Sequence, residues 1–166
     1  MPATYEKIAS TTLGSAAADI TFSSIASSWT DIRLVFTGTS SVDYSNLFCR
    51  LNSDTGTNYS LTRLSGDGST AASAQQTNQT RIVIANQSTL RTSIPKFYTM
   101  DLFSYAGSTF KTMLCTGSED ENGSGTVVRT VNLWRSTSAV STILLYPSSG
   151  NFNSGTTATL YGILKA

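Results

Sequence analysis

The chain has 166 residues, 39% hydrophobic and 10% aromatic, enough to bury a sizeable core and too apolar for a disordered segment. Its 11 Lys+Arg against 10 Asp+Glu leave a net charge of +1, and the basic residues are scattered singly, so no basic field grips nucleic acid. Zero histidine excludes every Ser–His or Cys–His nucleophile pair, and two separated cysteines cannot close a zinc site.

Charged residues make up only 13%, and Ser and Thr, 26 of each, take their place. Helical spacing is missing throughout, while short runs of period-two alternation recur between Gly, Ser, Asn and Asp clusters. Ile8 with Leu13, and Ile20 with Phe22, supply two short opening strands. In 31–37, Ile32, Leu34 and Phe36 share one face; Leu47, Cys49 and Leu51 repeat the pattern before the turn at 52–56. A strand over 59–64 closes at Ser65-Gly66-Asp67-Gly68. The polar interval 69–80 reads as a surface loop, extended in part. Strands follow at 81–85, with Ile82 and Ile84 on one face, and at 96–105, where Phe97 and Phe103 oppose Tyr98, Met100 and Leu102. The segment 110–116 pairs back across Ala106-Gly107-Ser108-Thr109. The acidic loop 119–123 leads into 126–134, where Val127, Val131 and Leu133 alternate with polar residues. Strands over 140–146 and 157–163, joined by a turn at 147–155, complete the set.

About ten strands at this spacing imply an all-β chain: a single antiparallel β-sandwich, jelly-roll-like, spanning 1–166, with a short N-terminal arm over about 1–12. Cys49 and Cys115 fall within apolar strands and read as reduced, buried thiols. No apolar run reaches 18 residues, so no membrane helix is expected, and the first residues show no secretory leader, which implies synthesis in the cytosol.

The short motifs carry little chemistry. Ser93-Ile94-Pro95-Lys96 matches a Ser-x-x-Lys pattern, but it precedes a strand instead of opening a helix. Gly66-Asp67-Gly68 reads as a tight turn and not a phosphate loop, since no helix follows. The run Glu119-Asp120-Glu121-Asn122 lacks the alternating spacing of a calcium loop and reads as a solvated turn. Four Asn-x-Ser/Thr triplets arise by chance in so hydroxyl-rich a chain. Trp29 and Trp134 are candidates for stacking on a sugar, with burial at a strand end as their default. No catalytic residue, cofactor site or metal site emerges, and the chain reads as not an enzyme.

Longer phrases say more. Tyr5 to Gly14, Asp19 to Ile25, Trp29 to Leu34, Asn58 to Leu64 with Gly66-Asp67-Gly68, Leu133 to Thr137, and Leu145 to Pro147 with Gly155 to Ile163 resemble a family of small tailed-bacteriophage virion structural proteins. The resemblance covers nearly the whole chain and rests on strand ends and turns. It implies a virion component made in the host cytoplasm, with the major capsid protein or other virion proteins as partners. It implies a homo-oligomer, a trimer by preference, with neither nucleic acid nor membrane as partner. A capsid decoration (cement) protein stabilising the head is the first expectation, because no fibre shaft or heptad repeat accompanies the sandwich. A tail-fibre tip that reads host glycan through the loops at 69–80, 119–123 and 147–155 is the alternative. Thr4, Tyr5, Lys7 and Ile8 in the N-terminal segment are the candidate interface residues.

Overall fold

Alternating burial builds two antiparallel sheets. The computed structural model describes residues 4–120 and 122–164. Eight strands form the larger sheet in the order β1 (Tyr5–Thr12), β12 (Thr157–Ile163), β3 (Asp31–Gly38), β8 (Lys96–Leu102), β9 (Lys111–Glu119), β10 (Thr126–Trp134), β5 (Tyr59–Gly66) and β6 (Ala71–Gln79). The smaller sheet runs β2 (Ile20–Phe22), β11 (Ile143–Pro147), β4 (Ser45–Leu51) and β7 (Ile82–Leu90). Every pairing is antiparallel. This is an all-β, jelly-roll-like sandwich, as the alternation implied.

The period of two puts one face of each strand inward. Ile32, Leu34 and Phe36 of β3 and Tyr98, Met100 and Leu102 of β8 pack against Leu47, Cys49 and Leu51 of β4 and Ile143 and Leu145 of β11. Cys49 and Cys115 sit in this core as free thiols. Each fully buried Leu or Ile side chain contributes about 1.5–3 kcal/mol relative to exposure.

Three expectations are corrected. The interval 69–80 is not a loop: Ala71–Gln79 is β6, an edge strand held to β5 by backbone pairing and by the Ser65 hydroxyl, which donates to the Ala72 carbonyl at 3.5 Å. Its side chains are small or amide-bearing and mostly exposed, so no apolar alternation marks it. The pairing shifts register near Tyr59, and Asn78 takes up the bulge at φ 54°. Secondly, the N-terminal arm is no arm. From Tyr5 to Thr12 the chain is β1, bonded to β12, with Ile8 packed against the core.

Thirdly, β10 faces the other way. Val128, Thr130, Asn132 and Trp134 point inward, while Val127 and Val131 are exposed. Thr130 and Asn132 are tolerated inside because both bond to the backbone of β7. Ile82 and Ile84 do share one face of β7, whose start is buried on both sides. Ile82 and Ile84 join the main core, whereas Val83 packs with Phe48 and Leu61 in a second cluster. The turn at 147–155 is tied down as well, since Phe152 is buried 5.3 Å from the Phe36 ring.

Candidate docking face

The outer face of the large sheet runs across eight strands. One row of directly paired residues crosses all eight strands: Lys7, Tyr161, Arg33, Asp101, Leu114, Val131, Thr62 and Gln75. Its two halves differ. On the β1 side Tyr5 stacks on Tyr161, with centroids 4.8 Å apart and planes at 21°. Arg33 donates from Nε and Nη2 to the two carboxylate oxygens of Asp101, at 2.5 and 2.9 Å. The Asp101 hydrogen bond raises the Arg33 pKa above its ordinary value, burial working against it and Tyr5 adding to it. This bidentate pair fixes a charged but neutralised patch.

On the β5 side the face turns apolar. Leu64 is 62% exposed, Val127 61% and Val131 48%, with Phe97 at 50% two strands from Val127. Val131 stands opposite both Leu114 and Thr62. Beside them lies a shallow depression of about 360 Å³, with Ser60, Thr62, Gln75, Gln76 and Thr112 around Val131 and Leu133. Hydroxyls and amides over an apolar floor are suited to binding a surface.

The candidate interface residues divide along the pleat. Tyr5 and Lys7 lie on this outer face, and Ile8 points the other way into the core. Thr4 precedes β1 and accepts a backbone hydrogen bond from Leu164 at 3.1 Å. The sequence reading missed Leu64, Val127 and Phe97. Its signal was present in β5, where an inward Tyr59 and Leu61 force Leu64 outward by parity.

The remaining motifs find structural duties. Lys96 of the Ser-x-x-Lys match is buried, its ammonium 2.5 Å from Glu119. The acidic run is therefore divided: Glu119 turns inward, and Asp120 accepts from the Gly123 N–H at 2.8 Å. Glu121 lies outside the described residues. Asp67 accepts from the backbone of Ser69 and Thr70, which makes Gly66-Asp67-Gly68 a side-chain-closed turn. Trp134 is buried, stacked on Tyr59 and bonded to Asp54, while Trp29 is half-buried against the core. Among the described residues no group of three or more His, Cys, Asp or Glu comes together to hold a metal ion.

No family model and no curated protein matches this chain. Solved structures do. An exo-inulinase from Aspergillus awamori is similar over 96% of this chain at 14% identity and a TM-score of 0.46, and this chain spans only 29% of its length. The Caenorhabditis elegans galectin LEC-6 is similar over 94% of this chain and 96% of its own, at 10% identity and a TM-score of 0.37. The LG4-5 domains of the mouse laminin alpha1 chain are similar over 93% of this chain and 41% of theirs, at 14% identity and a TM-score of 0.34. At such identities the likeness concerns strand architecture alone.

Proposed function

We propose that this chain is a non-catalytic packing module of a bacteriophage virion, seated on the capsid lattice as a decoration protein by the outer face of its large sheet. One observation carries the reading. Leu64, Val127, Val131 and Phe97 project from one continuous face, and large exposed apolar side chains grouped on a single face mark a surface made to be covered. The Arg33–Asp101 pair and the Tyr5–Tyr161 stack supply the polar margin that fixes orientation. Decoration proteins of this kind act as symmetric homo-oligomers, and a trimer is the expected form.

The test is direct. Purified particles should carry the chain in many copies, and the chain added to undecorated heads should bind them. A Leu64→Lys, Val127→Lys variant should keep its circular-dichroism spectrum and lose that binding. Only a few copies per particle, or undiminished binding by the double variant, would overturn the proposal.

A second reading, a tail-fibre tip that recognises host glycan, is favoured by the hydroxyl- and amide-rimmed depression next to Val131. The structure removes 69–80 from the loops that reading first relied on and leaves the sheet surface in its place. Glycan-array binding abolished by Gln75→Ala with Thr112→Ala would favour it over decoration.

A further inference from the structure

The opposite face of the sandwich carries two arginines that the docking face does not use. On the outer side of the small sheet, Phe48 of β4 and Tyr146 of β11 are directly paired, their rings edge to face at 5.6 Å. The Arg81 guanidinium lies 4.2 Å over the Phe48 ring, and that of Arg50 lies 5.0 Å over Tyr146. Aromatic faces attract these cations and hold them in place. Their hydrogen bonds are sparse. Arg50 Nε reaches the Thr80 carbonyl at 3.3 Å, and Arg81 Nη1 reaches the Thr80 hydroxyl at 3.4 Å. Neither forms an ion pair among the described residues. The Asp19 carboxylate, just before β2, accepts instead from the Thr21 hydroxyl at 3.3 Å.

Two buried donors at this cluster, Arg81 Nε and the Tyr146 hydroxyl, have no hydrogen-bond partner. A buried polar atom without a partner is uncommon and calls for an explanation, and two at one cluster are the more unusual. Burial pushes the Tyr146 hydroxyl pKa up, and Arg50 and Arg81 both pull it back, so both cations act on the same oxygen.

We propose that Arg50, Arg81 and the Tyr146 hydroxyl form a binding site for an oxyanion, the carboxylate or phosphate group of an acidic polymer. The chemistry matches at each point. An oxyanion is an acceptor for guanidinium forks and for a hydroxyl alike, and it would neutralise two half-buried cations that lack a counter-charge. The forks are already held against rings, so little side-chain freedom is lost on binding. The site lies on the sheet opposite the proposed docking face, and it stands whether or not that face seats the chain on a particle.

Nitrogen-15 NMR of the arginine Nε–H groups in the full chain tests this with inorganic phosphate as the first probe. Titration should shift the Arg81 and Arg50 signals saturably and leave Arg33, on the other sheet, unmoved. Sodium chloride at equal ionic strength should produce no saturable shift. Arg50→Gln and Arg81→Gln should each weaken binding at least tenfold, and Tyr146→Phe, which keeps the ring packing, should weaken it several-fold. Polygalacturonate and polyphosphate then separate a carboxylate source from a phosphate source. Shifts that follow chloride equally, that fail to saturate, or that persist in both arginine variants would overturn the site.

Discussion

Asn132 treats Val83 as a neighbouring strand would. Its side-chain Oδ1 accepts from the Val83 N–H at 3.4 Å, and its Nδ2 donates to the Val83 carbonyl at 3.3 Å. One amide side chain of the large sheet thus occupies both free backbone groups of an edge residue in the small sheet. Thr130 adds a donor to the carbonyls of Val83 and Ile84. The sandwich is stitched across its layers at β7, the edge whose pairing to β4 is broken by two register shifts.

Asn132→Ala should therefore cost more than its volume suggests. It strips the Val83 N–H of its acceptor in a buried site, and an unsatisfied buried group costs about 1–3 kcal/mol. Asn132→Asp should cost more again, because it sets a carboxylate oxygen against the Val83 carbonyl. Urea unfolding of the two variants checks the order: wild type, then Ala, then Asp in decreasing stability.

The same pair shows why β10 was legible as a strand but not in its orientation. Val127, Val131 and Leu133 give a cleaner apolar alternation than Val128, Thr130, Asn132 and Trp134, so periodicity alone turns the strand over. What decides the matter is the unpaired edge of β7, which is a long-range fact. By contrast β3 and β12 announce their buried faces, because nothing polar is needed inside them. β6 is silent because the run AASAQQTNQ has no apolar residue larger than Ala to betray a face. Of the interface candidates, Tyr5 and Lys7 fall on the docking face. The sequence places the apolar residues that dominate it on strands without assigning them to a surface, and Arg50 and Arg81 come near one another only through the pairing of β4 with β7.

Asp54 links stability to pH. Burial raises its pKa, but hydrogen bonds from Trp134 Nε1 at 2.7 Å, Asn58 Nδ2 and the Gly56 N–H outweigh that, leaving it below its ordinary value. The folded state then favours the carboxylate. Its contribution is fully present above the unfolded pKa of about 4 and is lost as pH falls through the lower folded value. Asp54→Asn should destabilise by about 1–2 kcal/mol at pH 7, since bonds to a charged acceptor are the stronger ones. The gap to wild type should narrow below pH 4. Equilibrium unfolding at pH 7 and pH 3 measures both, and a gap independent of pH would contradict the assignment.

The two thiols should be inert. Burial pushes Cys115 up to about 12, against hydrogen bonds from Thr130 and Asn132 that lower it, and the same burial raises Cys49 well above the ordinary thiol range. Reaction needs thiolate and access, and both are denied. Ellman's reagent at pH 8 should label neither cysteine in the folded chain within hours and both within minutes in guanidinium. Asn132→Ala should speed labelling of Cys115 only as far as it loosens the fold, because losing the hydrogen bond from Asn132 Nδ2, 3.5 Å from the sulfur, by itself disfavours the thiolate.

Gly162 tests how the large sheet is covered at β12, one strand in from the β1 edge. It pairs with Ile32 of β3 and with Glu6 of β1, and the Trp29 indole lies directly over it, so that a methyl at this position would fall inside the ring. The Trp29 backbone is also held, its main-chain N–H donating to the Tyr105 hydroxyl at 3.2 Å, and that hydroxyl in turn donates to the Ala26 carbonyl. The ring can escape only by lifting the 23–30 segment off the sheet. Gly162→Ala should cost about 1–3 kcal/mol, the usual penalty for overpacking. It should also shift Trp29 emission to the red in a Trp134→Phe background, where Trp29 is the sole tryptophan. A larger loss without a red shift would mean that the sheet yields at β12 before the indole does.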